Sequence, residues 1–202
     1  MSWFHRNEDW RTYLKRYPLT SLFLFLNIII FLFMTFLGGS TNPYTLVQFG
    51  AYYKPLILEG EWYRLFAPIF LHIGWEHLLF NCFAILIFAP GLETMLGKWR
   101  YLVLYLGSGL IGFVMTLLFS SAMVAAGASG AIFGIYGMYA YLSKYRKDLM
   151  DYYSRQTILP ILVIGVVLTF LPGISITGHL GGLASGFLLG FVLVSRRRSS
   201  YF

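Results

Sequence analysis

The sequence predicts an all-α membrane protein: a bundle of six transmembrane helices with a long membrane-associated external loop between helices 1 and 2. Three observations predict it. Hydrophobic types make up 58% of the 202 residues and charged types 11%, whereas about 25% of a soluble domain is charged. Charge-free apolar runs recur at lengths close to the roughly 20 residues that a helix needs to cross a bilayer. Thirteen of the fifteen lysines and arginines fall on alternate connections between those runs, the bias expected when one side is cytoplasmic.

Residues 1–18 form a lead-in that mixes Arg6, Arg11, Lys15 and Arg16 with Trp3, Phe4, Trp10, Tyr13 and Tyr17. This reads as a cytoplasmic amphipathic segment with its aromatic rings in the membrane interface. Span one, Leu19–Leu37, holds no charge and is longer than the apolar core of a secretory signal. Residues 38–74 then make a long external connection rich in Tyr, Phe and Trp, partly sunk in the outer leaflet. Span two runs from Trp75 to Leu92, with Glu76, His77 and Asn81 near its start. Spans three to six are Tyr101–Phe119, Ala122–Leu142, Ile158–Leu171 and Thr177–Val194, the fifth short and interrupted by Pro160.

The six-span domain thus covers 19–195, followed by a basic tail, 196–202. Lys98 and Arg100, then Lys144, Arg146, Lys147 and Arg155, then Arg196, Arg197 and Arg198 share a side with the lead-in, and only Lys54 and Arg64 lie opposite. Both termini are therefore expected in the cytoplasm, in a multi-pass protein of the plasma membrane. The net charge of +7 is explained by this topology and implies a membrane-lipid partner and no nucleic acid. A single cysteine, Cys82, excludes a disulfide scaffold.

Spans two, four and six all begin at the external face, and each carries polar groups near that start: His77 and Asn81, Ser129, and His179. Their depth is common to all three. Span six has Gly178, Gly182, Gly186 and Gly190 at four-residue spacing and span four has Gly130, Gly134 and Gly137, faces that let backbones approach closely. Packing through them brings an imidazole to a hydroxyl, the pair used in nucleophilic acyl transfer. His77 and Asn81, four apart on one helix face, supply N–H donors for an oxyanion. No carboxylate lies on spans four or six, so a Ser–His dyad is implied rather than a triad.

At these residues the chain resembles the rhomboid family of intramembrane serine proteases, over nearly all of its length after residue 18. Gly127-Ala128-Ser129-Gly130 is similar to the family's GxSG, His77 to Asn81 to its HxxxN, and His179, Gly182 and Gly186 to its HxxGxxxG. The resemblance implies a rhomboid-like bundle with Ser129 as nucleophile and His179 as general base. It also implies an oxyanion hole of His77, Asn81 and the Ser129 backbone N–H. Phe133 matches the aromatic on which the imidazole stacks. Glu61-Trp62-Tyr63-Arg64 resembles a Trp-Arg element of the first external loop, with Trp62 displaced by one position. Glu93 matches a structural acidic residue at the cytoplasmic end of span two, with Lys98 or Arg100 as expected partner.

Other chemistries find less support. There is no HExxH for a metalloprotease, and Asp9, Asp148 and Asp151 are all placed in the cytoplasm, away from an aspartyl pair. Zinc on His72, His77 and His179 is unnecessary once Ser129 accounts for two of them, so no metal or cofactor is expected. A transporter lacks intramembrane charge for ion coupling. The alternative from another class is a non-proteolytic rhomboid-like scaffold or chaperone that binds transmembrane helices. The expected substrates are single-span membrane proteins, cut near the external end of a helix weakened by small or helix-breaking residues and admitted past the short span five.

Overall fold

The computed structural model describes residues 3, 4 and 7–195; Arg6 and the basic tail, 196–202, lie outside the described residues. Asp9 caps the first helix, α1 (Trp10–Arg16), its carboxylate accepting from the Thr12 N–H at 2.8 Å. Pro18 then opens α2 (Pro18–Phe36), a position where its missing N–H costs nothing. The lead-in departs from the sequence expectation. Trp10 is exposed, but Tyr13 and Tyr17 are buried, and Phe4 packs edge-on against Phe88 and Tyr139. Most of these rings face protein rather than lipid.

The connection to the next long helix is a folded cap made of α3 (Pro43–Gln48), α4 (Lys54–Leu58) and two 3-10 turns, Trp62–Leu65 and Ala67–Phe70. After it come α5 (Gly74–Leu96), α6 (Lys98–Phe119), α7 (Ser129–Tyr145), α8 (Tyr152–Leu168) and α9 (Ile176–Leu193). Helices α2, α5, α6 and α9 are long and apolar enough to cross a membrane, and α8 is apolar but shorter. Between α7 and α8 the chain makes a 3-10 turn, and Asp151 caps α8 by accepting from Ser154.

Two element boundaries differ most from those read in the sequence. The charge-free run from Ala122 is not helical until Ser129, because strand β2 (Val124–Ala125) pairs antiparallel with strand β1 (Tyr52–Tyr53) of the cap. Ladder bonding to a distant segment overrides helix formation there. Helix α8 starts six residues earlier than span five, since its cap at Asp151 and the polar residues Arg155 and Gln156 precede the apolar run.

Helix α7 is the axis of the bundle, buried without interruption from Gly130 to Tyr139, with α6 and α9 packed along it and α5 on a further side. The α7–α9 contact is backbone on backbone. A Cβ at Gly186 would lie 2.6 Å from the Gly134 carbonyl carbon, and one at Gly182 would lie 2.9 Å from that of Gly130. Helix α8 is the opposite case. It packs on α7, and within it only Ser154 and Ile158 are buried.

Glu93, on α5, is 3% exposed and does not pair with Lys98 or Arg100. It accepts from the N–H groups of Leu19 and Thr20, both at 2.9 Å, and from the Thr20 hydroxyl at 2.7 Å. These first-turn donors of α2 have no partner in their own helix, and a negative charge complements the positive end of its dipole. Glu93→Ala leaves them buried and unsatisfied, so it is expected to lower stability by about 3 kcal/mol while activity per folded molecule is retained. Thermal inactivation in detergent measures the first effect and initial rates the second.

Candidate active site

Ser129 is the first residue of α7. The chain reaches it through Gly127, whose N–H donates to the Pro68 carbonyl at 2.9 Å and whose φ of +138° suits glycine. Space demands glycine as well. A Cβ at this position would stand 2.7 Å from His77 Nε2 and 3.7 Å from Ser129 Oγ, so the imidazole and the hydroxyl border one small volume. Because Ser129 opens the helix, its own N–H has no intrahelical acceptor and sits at the positive end of the dipole.

His179 enters from α9, which Ser175 caps by accepting from the Gly178 N–H at 3.2 Å. The register Gly182 on Gly130 and Gly186 on Gly134 brings His179 to the level of Ser129, and both line one cavity with Gly112, Thr116, Gly127 and Ser175. The imidazole lies flat on Phe133, with ring centroids 4.1 Å apart and planes 17° from parallel. Its Nδ1 is 2.9 Å from the hydroxyl of Thr169, a residue the sequence reading did not single out. The only sequence signal was a hydroxyl near the external end of span five, the level at which His179 starts span six.

His77 and Asn81 lie on one face of α5 but are engaged differently. The Ile73 N–H approaches His77 Nδ1 at 3.4 Å, which places the ring hydrogen on Nε2, the nitrogen beside Gly127. That nitrogen is then a donor beside the turn that leads into Ser129. Asn81 instead donates from Nδ2 to the His77 carbonyl at 2.7 Å, so one of its two N–H groups is held by its own helix. His72 was used in the sequence reading only as a possible zinc ligand. It is wholly buried and meets His77 edge-on at 5.2 Å between centroids. Burial first, and His77 second, push its pKa down to about 3. Among the described residues no three His, Cys, Asp or Glu side chains gather as a metal-binding group.

Arg64 stands apart from this cluster, in the cap. It is 5% exposed and donates to Glu61 at 2.6 Å, to the Val47 carbonyl at 2.7 Å and to the Ala51 carbonyl at 3.1 Å. Arg64 and the Tyr63 hydroxyl together hold the Glu61 carboxyl below its ordinary pKa. Tyr63 lies under the guanidinium, and Trp62 and Tyr63 are both exposed. The site residues that come together are therefore Ser129, His179, His77, Phe133 and Gly127, with Asn81 adjacent on the helix of His77. Gly130, Gly182 and Gly186 set the register behind them, and Arg64 and Glu93 brace separate parts of the fold.

Apolar helices of this length, with a polar cluster gathered at their ends, define a multi-pass membrane protein. The Rhomboid domain family matches residues 59–196. YdcA of Bacillus subtilis is 38% identical over 200 residues, covering 98% of this chain and all of that protein. Rhomboid protease GluP of the same organism is 40% identical over 175 residues, covering 86% of this chain and 34% of GluP. Rhomboid-type serine protease 2 of Emericella nidulans is 34% identical over 143 residues, 66% of this chain and 27% of that protein. The chain belongs to the rhomboid family of intramembrane serine proteases.

Proposed function

We propose that the chain cleaves single-span membrane proteins near the external end of their transmembrane helices, with Ser129 as nucleophile and His179 as general base. The observation that carries this reading is the sharing of one cavity by Ser129 and His179, with His77 Nε2 beside Gly127, another residue of the cavity wall. Ser129 Oγ attacks the scissile carbonyl carbon and gives its proton to His179 Nε2. The oxyanion receives hydrogen bonds from His77 Nε2–H, the Ser129 N–H and the free amide hydrogen of Asn81. His179 then protonates the departing amine, and water resolves the acyl-enzyme by the same steps. No metal or cofactor takes part.

The protein crosses the plasma membrane six times with both termini in the cytoplasm, a reading that the distribution of basic residues supports. Helices α7 and α8, at 17 residues each, cover about 25 Å; the extended approach through β2 supplies the rest of the fourth crossing. The cap carrying β1 and Arg64 lies at the external face. Substrates pass α8, the helix with the fewest buried residues among the six.

A peptide carbonyl inside a helix is held by the N–H four residues on, so the substrate must open before Ser129 reaches it. Replacing two helix-weakening glycines of a cleaved span with leucine raises the opening cost by about 2 kcal/mol. The expected result is a loss of roughly thirtyfold in rate, read by gel assay in proteoliposomes. Equal cutting of the two spans sinks the opening step. Cross-linking α5 to α8 is expected to block this cleavage while hydrolysis of a small soluble ester continues.

A further inference from the structure

The polar group that touches the base belongs to neither helix of the Ser–His pair. Thr169 terminates α8, is 1% exposed, and stands with Oγ1 2.9 Å from His179 Nδ1 and 3.0 Å from the Gly165 carbonyl. A threonine hydroxyl has one hydrogen to give and lone pairs to receive. With that hydrogen on the Gly165 carbonyl one turn back, the contact to His179 is a hydrogen bond only when Nδ1 carries the ring hydrogen. Nε2 is then bare, which is the form a general base needs.

We infer that Thr169 is a positioning residue for the catalytic base, its hydroxyl selecting the Nδ1–H form of His179 and fixing the rotation of the ring. The inference rests on the reading of Ser129 and His179 as the reacting pair. Stacking on Phe133 sets the plane of the imidazole but leaves a half-turn about the Cβ–Cγ bond that exchanges the two edges of the ring. The Thr169 hydrogen bond removes that ambiguity. When Nε2 takes the serine proton, the ring becomes cationic and its Nδ1–H bond to Thr169 strengthens, an interaction larger in the transition state than before it. A hydroxyl thus supplies the orienting role that a carboxylate fills in a triad. The reverse assignment, with Thr169 donating to Nδ1, puts the ring hydrogen on Nε2 and leaves no acceptor for the serine proton.

The test compares Thr169→Val, which keeps the shape and removes the hydroxyl, with Thr169→Ser, which keeps the hydroxyl. Both are made in the full chain in nanodiscs. Rates on a transmembrane substrate are read alongside the imidazole nitrogen resonances of 15N-histidine-labelled protein, with the His179 signals assigned by their loss in His179→Asn. Thr169→Val is expected to lose about tenfold in kcat with KM within about twofold, and to shift His179 away from the Nδ1–H pattern; Thr169→Ser restores both. A wild-type kcat in Thr169→Val overturns the inference, as does a wild-type protein whose His179 carries its hydrogen on Nε2. So does a fall confined to thermal stability. Failure of the underlying pair reads differently, because Ser129→Ala would then keep its activity whatever the Thr169 variants do.

Discussion

Replacing Ser129 or His179 with alanine is expected to remove cleavage of a transmembrane substrate, each by a factor of about 10⁴ or more, and the double variant is expected to be hardly slower than either. In the proposed mechanism the two act on one proton. Without His179 the hydroxyl stays protonated and is a poor nucleophile; without Ser129 the imidazole has nothing to activate. The backbone contact between α7 and α9 carries both side chains, so truncating either leaves the glycine register behind it intact and the loss appears in kcat rather than in folding. A fluorophosphonate is expected to label the wild-type protein at Ser129 and neither variant. Substantial cleavage by Ser129→Ala would remove the serine mechanism. Multiplying losses in the double variant would mean that the two side chains serve separate steps.

The next largest effect is expected at His77. Loss of one oxyanion donor costs roughly 10² to 10³ in kcat, and His77→Ala is expected to fall in that range with KM nearly unchanged. The structure separates this residue from Asn81. His77 presents Nε2–H beside Gly127 with its other nitrogen already occupied, whereas Asn81 has one amide hydrogen committed to the His77 carbonyl. Asn81→Ala is therefore expected to lose less than about tenfold in rate and to show more of its effect in thermal stability, since it removes a buried side chain that is hydrogen-bonded within α5. Steady-state kinetics on the two variants with one substrate decide it. Equal losses would show that the second amide hydrogen of Asn81 contributes as much to the oxyanion as His77 Nε2–H does.

The parts of this fold that were legible in the sequence are those governed by local composition. Apolar runs located α2, α5, α6 and α9, and the spacing of glycines on two helices anticipated which of them touch. The candidate site residues were legible because their types are scarce in apolar helices: a histidine or asparagine there stands out. What could not be read depends on partners far away in the chain. Ala122–Ala128 has the composition of a helix, yet Val124–Ala125 within it form a strand that pairs with Tyr52 and Tyr53. Glu93 has basic residues within a few positions, yet it serves the start of α2, 74 positions earlier in the chain. Thr169 carries no charge and interrupts no pattern, so its contact with His179 emerges only when α8 is laid beside α9.

The backbone seam between α7 and α9 has a consequence for how this protein varies. At most buried positions a substitution either adds or removes atoms, and a neighbour makes the opposite change in compensation. Gly182 and Gly186 offer no such exchange: every alternative residue adds volume, and the atoms it meets belong to the main chain of Gly130 and Gly134, which cannot be made smaller. The distance between the helices that hold the serine and the histidine is thereby removed from the reach of stepwise change. Diversification is directed to surfaces that can trade volume, the exposed side of α8 and the cap.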